Sequence, residues 1–492
     1  MDSWLPAVVV FGYLLVALGV GVLAGRRGDG GTGDFVAGER SFGPLVMYFV
    51  MGATVFSAFA LLGTPQRVVS RGSDAFYVLA YGAVGFVPMF FFGGKVRRIG
   101  AREGYVTQAE LVGSRYQSRR VTALMGAAAV VAFLPYLVIQ LKGAGIVMHA
   151  AFGWEPLYGA ALVYAVVAAY TVIGGMRGVG WTNVIQGVVM IVVVWALGLW
   201  IPRALFGGVS EMFDRVIAEH PEHLVLPGPS SRPTSALAYS SEIIVSALGF
   251  TMWPQVFMRC FTARSARLVQ FSVVVYPTFL FFIVPLVLLG YAALLLPGAP
   301  QDETVLIWLV GHPALGGGAA VMAFVCFAVL AASMSTGDAL LHGGGSIFVR
   351  DVLVGGLGLP LSERGQTRAM RLSILVMGVV SLGLYALSDG ISIVDLLLLA
   401  YALPIQFLPL VLLGLYWPRA NRAAAEAGLG AGLVVVLALF AVHELAPAWY
   451  AVINPQDLEI GVPGVLVNLV VMITLSLTTA PMAKSHLRRF EL

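Results

Sequence analysis

The chain has 492 residues, 59% of them hydrophobic and only 11% charged, with a formal net charge of +4. A soluble domain carries about a quarter charged residues, so a water-facing globular protein is excluded. The two cysteines, Cys260 and Cys326, lie in or beside apolar runs and define no disulfide framework.

Apolar runs long enough to cross hydrocarbon as helices, about 20 residues each, recur along the whole chain. Thirteen spans are predicted, at 5–25, 44–63, 75–94, 121–148, 156–174, 181–204, 239–258, 268–296, 317–346, 371–388, 391–417, 423–443 and 463–482. The first is too long for the apolar core of a cleaved signal and is followed by Arg26 and Arg27, so it counts as a span. One set of alternating loops holds 23 of the 29 basic residues and the other holds 5, leaving Lys142 alone within a span. The positive-inside rule then puts the N-terminus outside and the C-terminus in the cytoplasm. The expected class is an all-α polytopic membrane protein forming one transmembrane domain over 1–492.

The longest loop, about 205–238, is rich in acidic residues and proline and reads as an outward-facing cap. Gly93-Gly94-Lys95 lacks the spacing and the Ser/Thr of a phosphate-binding loop. The seven histidines show no HExxH or other metal-ligand spacing. ATP-driven pumping and zinc chemistry are therefore not expected, and no enzyme-like catalytic set is visible.

Polar groups inside spans point to function, because hydrocarbon offers them no water. In the second span, MGATVFSAF (51–59) carries Gly52, Ala53, Thr54 and Val55, where the helix can unwind and free its carbonyls. The seventh span has a matching interruption, LGFTMWPQ (248–255), where Pro254 removes a donor and clashes with the preceding turn. If spans 2–6 and 7–11 are two repeats, both breaks fall in the first helix of a repeat, the pattern of a transporter binding site.

In the fourth span, LPYLVIQLKGAG (134–145) places Lys142 far from either end, where an ammonium needs an anion or a carbonyl cluster. A substrate carboxylate and Asp338 are both candidate partners, as is a structural ion pair. In the ninth span, LAASMSTGDA (330–339) puts Ala332, Ser335 and Thr336 on one helix face, with Asp338 close by. These hydroxyls either help to hold a small cation or bond back to carbonyls one turn earlier.

Six segments in order resemble the sodium/solute symporter family: GERSFGP (38–44), MGATVFSAF, GGMRGVGWTNVIQ (174–186), PQVFMRCFTARS (254–265), AASMST (331–336) and LLGLYWPRANRAAAEAG (412–428). The resemblance implies a five-plus-five inverted-repeat, LeuT-like core with broken helices. The extra first helix would be 5–25, the repeats 44–204 and 239–417, and two peripheral helices would occupy 423–482. It also implies sodium as coupling ion, held by the carbonyls of Ala53, Phe56 and Ala332 and the hydroxyls of Ser335 and Thr336.

Two departures stand out. Many relatives read WTD where this chain reads Trp181-Thr182-Asn183, and in some of them that aspartate serves a second sodium site. Here Asp338 sits past the Ser-Thr pair, so Asn183 and Asp338 are expected to face each other as a second cation or proton site. Val55 stands where proline carriers have an acidic residue.

Phe59 and Ala60 replace the polar side chains of sugar carriers, and LPYLVIQLKG looks most like the monocarboxylate-permease branch. The implied cargo is a small organic anion of the lactate or pyruvate type. Ser57, Tyr136, Gln140, Lys142, Phe250, Trp253 and Gln255 are the candidate substrate-binding residues. Proline, other amino acids or pantothenate as solute, a proton as coupling ion, and a membrane sensor of transporter-like fold are the alternatives. The expected surroundings are the lipid bilayer of the cell membrane, with no nucleic acid and no obligatory protein partner.

Overall fold

The computed structural model describes residues 4–26, 31–226, 228–229, 235–316, 318–388 and 393–491. Its regular structure is helical, as a chain in hydrocarbon requires of backbone groups that have no water to bond. Among the described residues ten helices are long and apolar enough to cross a membrane, or eleven if the bent pair Ala236–Met252 and Pro254–Thr262 is one span.

The helix Pro156–Phe206 has 51 residues, or about 76 Å at 1.5 Å per residue, more than twice the thickness of the hydrocarbon core. It is broken within, at Gly175, where φ is 52° and ψ is −151°. Only glycine adopts that conformation without strain. A Cβ there would also lie 2.9 Å from the Phe35 ring.

The predicted second span is two pieces. Pro44–Ala53 ends in irregular turns at 54–57, and the chain resumes as a π-helical stretch, Phe59–Gly63, leading into Thr64–Arg71. The predicted seventh span breaks at Trp253, with a bend of 49°. Trp253 is extended (φ −53°, ψ 121°), as the residue before proline is driven to be.

The first helix, Leu5–Gly25, buries Val10, Tyr13, Leu14, Ala17 and Gly21, one stripe at helical spacing. That stripe lies on the Pro156–Phe206 helix, and a Cβ on Gly25 would come within 2.5 Å of the Gly174 Cα. At the other end, Arg422–Leu445 and Gly461–Thr478 pack on each other, and Asn468 donates to the Gln406 carbonyl (2.7 Å). The breaks therefore lie in the middle of the bundle, surrounded by Arg119–Phe152, Pro156–Phe206 and Gly318–Ile347.

Three basic residues assigned to loops from the sequence are buried: Arg67 in Thr64–Arg71, Arg115 in Gln108–Arg115 and Arg259 in Arg259–Thr262. Thr64–Arg71 reads TPQRVVSR. That composition is too polar to look like half a span, so Lys142 is not the only cation within the bundle.

Candidate ion and solute site

A broken helix leaves backbone groups without partners, and buried groups of this kind must be satisfied elsewhere. At 54–57 the partners come from two neighbouring helices. The Ser335 hydroxyl donates to the Ala53 carbonyl (2.9 Å) and lies 3.0 Å from the Ala332 carbonyl. The Thr336 hydroxyl donates to the Thr54 carbonyl (3.0 Å), and the Tyr136 hydroxyl donates to the Val55 carbonyl (3.3 Å). The Ala58 N–H donates to Gln140 Oε1 (3.0 Å).

Ala53, Ala332, Ser335 and Thr336, grouped by the family resemblance, are thus in contact. Phe56 lies in the same turn, its ring stacked on Phe279 at 5.3 Å. Carbonyls and hydroxyls, neutral and buried, are the donors that suit a hard monovalent cation. The back-bonding alternative is present only in part, since Ser335 reaches Ala332 on its own helix while also spanning to the broken one.

Asp338 is fully buried and receives hydrogen bonds from three directions. Tyr170 Oη donates to Oδ2 (2.8 Å), Thr182 Oγ1 to Oδ2 (3.1 Å), and Asn183 Nδ2 to Oδ1 and Oδ2 (3.2 and 3.3 Å). Asn183 and Asp338 therefore do face each other. The Thr54 hydroxyl donates to Asn183 Oδ1 (3.1 Å).

The Ser335–Thr336 cluster and the Asp338 cluster are accordingly one network, linked through Thr54. The Arg259 guanidinium lies near enough to act on the Asp338 charge and donates to Met176 Sδ (2.9 Å). Thr54, Tyr170, Thr182 and Arg259 were not in the predicted set. Thr182 sits inside the Trp-Thr-Asn motif and was within reach, whereas a lone tyrosine in an apolar run carries no signal.

Of the predicted solute residues, Tyr136, Trp253 and Phe250 lie in one aromatic cluster beside the breaks. Trp253 packs on Tyr136 (4.9 Å), Phe133 (5.6 Å) and Tyr401 (5.5 Å), while Phe250 meets Phe86 at 4.7 Å. Tyr81 joins from the other side, 6.1 Å from Tyr401 and 6.4 Å from Phe250. Among the described residues, Trp253 Nε1 and Gln255 Oε1 are buried without a hydrogen-bond partner. Ser57 accepts from the Phe59 N–H (3.1 Å).

Lys142 is placed differently from its companions. It is two residues from Gln140, so about 200° around the helix, and half-buried. Gln140, Tyr136 and Gly143 look towards the first break; Lys142 lies nearer the side of Gly145, whose Cβ would meet the Tyr385 hydroxyl. Helical phase thus separates the lysine from the aromatic cluster.

The chain is 26% identical over 495 residues to an uncharacterized symporter of Bacillus subtilis, YhjB, covering 96% of each. It is 27% identical over 448 residues to a protein of Rhizobium johnstonii named monocarboxylate transport permease protein, covering 87% of this chain and 88% of that one.

Among solved structures, a Na+-coupled sialic acid symporter in a substrate-bound outward-open state shares the fold. Its TM-score is 0.81 at 18% identity, over 98% of this chain and 99% of that one. A nucleobase-cation-symport-1 family transporter in a closed conformation matches at 0.59 and 15% identity, over 93% and 98%. The architecture is LeuT-like. Residues 35–432 match the model of the sodium:solute symporter family, and the chain belongs to that family of secondary transporters.

Proposed function

We propose that this protein couples inward sodium movement to uptake of a small monocarboxylate by alternating access across the cell membrane. The observation that carries the reading is the contact of Ser335 and Thr336 with the carbonyls of Ala53 and Thr54. A cation held by Ala53, Phe56, Ala332, Ser335 and Thr336 would fasten the broken helix to Gly318–Ile347. Ion and solute would then each bind better with the other present. Thirteen crossings are kept in this reading, with Pro156–Phe206 divided at Gly175, Phe59–Glu103 divided at Gly72 and the half-helices of each break paired. The N-terminus is placed outside by the basic loops.

A solute at the breaks would meet Ser57, Tyr136, Gln140, Phe250, Trp253 and Gln255. Trp253 offers a free indole N–H to a carboxylate oxygen, and the neighbouring sodium supplies the countercharge. The aromatic walls favour a small, largely apolar molecule with one polar end. The name of the Rhizobium relative points the same way. Lys142 has no part in this set, because its helix turns it away. Asp338 with Asn183 forms the candidate second cation or proton site.

Uptake of labelled lactate, pyruvate, acetate, alanine, proline and pantothenate into proteoliposomes, with sodium or choline at fixed pH, tests the reading. The short carboxylates should accumulate only with sodium. Accumulation in choline driven by a pH gradient would replace sodium by a proton. Accumulation of proline or pantothenate alone would displace the monocarboxylate.

A further inference from the structure

The outward cap carries a cluster that the histidine count left out. His220, Glu222 and His223 are brought together by the turn that follows the helix Val209–Glu219. One ligand atom from each lies within 4.8 Å of the others, the tightest such group of histidine, cysteine and carboxylate side chains among the described residues. Glu222 Oε1 is 3.4 Å from His220 Nδ1 and 3.2 Å from His223 Nδ1. With metal–nitrogen and metal–oxygen bonds of about 2.0–2.2 Å, neighbouring ligands in a tetrahedral site lie about 3.3–3.5 Å apart. Two of the three edges already have that length. His220, a third exposed, closes the third by a side-chain rotation.

His223 is buried, and its Nε2 lies 3.1 Å from the Val69 carbonyl. A carbonyl only accepts, so Nε2–H donates to it. Nδ1 faces the Glu222 carboxylate, also an acceptor, at 3.2 Å, so without a metal Nδ1 carries a proton too. An incoming ion displaces that proton. A ligating histidine is usually held in this way, its other nitrogen donating to a backbone oxygen. Moreover, the Tyr291 hydroxyl donates to the His223 carbonyl (3.1 Å). Gly72, at φ +61°, lets that carbonyl approach so closely that a Cβ would meet it at 2.4 Å. The turn is therefore pinned before any ion arrives.

The geometry points to a site for a divalent transition-metal ion of the zinc class, formed by His220 Nδ1, Glu222 and His223 Nδ1. Two imidazoles and one carboxylate select zinc, cobalt, nickel or copper over magnesium and calcium. Three protein ligands leave a position for water, so the ion exchanges with the medium. The site rests on Val69 and Gly72, at the end of Thr64–Arg71. An ion there clamps the cap to the outer half of the first broken helix. His-Pro-Glu-His is not HExxH or another recognised metal-ligand spacing; its ligands come together because Pro221 opens a tight 3-10 turn rather than an α-helix.

The test is independent of the transport reading. Cobalt(II) is titrated into the detergent-purified chain after removal of any histidine tag, and its visible absorption is followed. The site predicts one cobalt per chain with a tetrahedral-type band, displaced by zinc and unaffected by excess magnesium. It also predicts loss of the band in His220→Ala and in Glu222→Gln, both on the exposed turn, with metal-free melting temperatures equal to that of the parent. Absence of the band in the parent chain, or its persistence in both variants, would overturn the assignment.

Discussion

Asp338 and Asn183 hold one carboxylate and one amide between two helices, and the neighbouring donors fix what each substitution should do. Tyr170, Thr182 and Asn183 all point hydrogens at Asp338. Asp338→Ala strands the Tyr170 hydroxyl and one Asn183 amide hydrogen, at about 1–3 kcal/mol each, while Thr182 can fall back on the Gly178 carbonyl (3.0 Å). It should lower the melting temperature as well as transport. Asp338→Asn keeps the shape and removes the charge, so it separates the two effects. In the reciprocal exchange Asn183→Asp with Asp338→Asn, the carboxylate returns to the helix where many relatives carry it. That double variant should regain sodium-dependent uptake that Asp338→Asn alone has lost. Uptake equally poor in the single and double variants would show that the position of the charge, not its presence, matters.

Lys142→Met makes the complementary prediction. With the lysine turned about 200° from Gln140, the KM for solute should change less than about twofold. A KM raised tenfold, equivalent to about 1.4 kcal/mol, would return Lys142 to the solute site.

At the scale of helices, the two breaks differ in how they show themselves. The second was visible because proline imposes it: Pro254 cannot donate and forces Trp253 into extended backbone. The first has no proline at the break. It was inferred from Gly52 and a polar, β-branched run, and its stability comes from Ser335, Thr336, Tyr136 and Gln140 on other helices. Ser335 and Thr336 were read as polar groups in apolar surroundings, whereas Tyr136 and Gln140 were expected to bind solute, not to support the break.

Tyr170 and Arg67 were not readable in the same way. A tyrosine's apolar ring hides its hydroxyl in the hydropathy pattern, and a half-helix such as TPQRVVSR is too short and polar to register as part of a crossing. The break itself can be tested through its supports. Ser335→Ala and Thr336→Ala each remove one oxygen from the proposed sodium set and one donor from the break. Each should raise the half-saturating sodium concentration about tenfold or more, as the loss of about 1.5–3 kcal/mol of interaction with a charged group requires. Sodium dependence of uptake at saturating solute reads this directly. An unchanged sodium response in the double variant would move the ion elsewhere.

Across the whole molecule, polar contacts tie the two broken helices together on one side of the site and the inward loops on the other. On the side that the basic-loop rule assigns to the cytoplasm, Arg40 donates to the carbonyls of Phe261, Gly100 and Tyr105 (3.1, 3.0 and 2.7 Å), and His342 Nε2 meets the Phe35 carbonyl at 2.7 Å. On the side that the basic-loop rule assigns to the outside, Arg67 bridges Asp74, in the turn Gly72–Phe76, and Glu242 on Ala236–Met252, the latter at 2.5 Å. The Arg67 guanidinium also lies 4.0 Å from the Tyr77 ring centroid.

This outward bridge buries two carboxylates and one guanidinium. Breaking such a pair from one side typically costs about 3–5 kcal/mol, so Arg67→Gln would damage folding along with gating. Glu242→Gln is the milder probe, since the amide can still accept from Arg67, and Asp74 remains to balance its charge. If the bridge holds the outer path shut, Glu242→Gln should let the two half-helices part more often.

Ser246, one turn along from Glu242, is fully buried and can report the opening. A cysteine placed at Ser246, in a background where Cys260 and Cys326 are serine, should react slowly with a membrane-impermeant maleimide added from outside. It should react several-fold faster once Glu242→Gln is added. Equal rates in the two backgrounds would mean that the outward path opens without parting Arg67 from Glu242, and the bridge would then be a static fastening of the bundle.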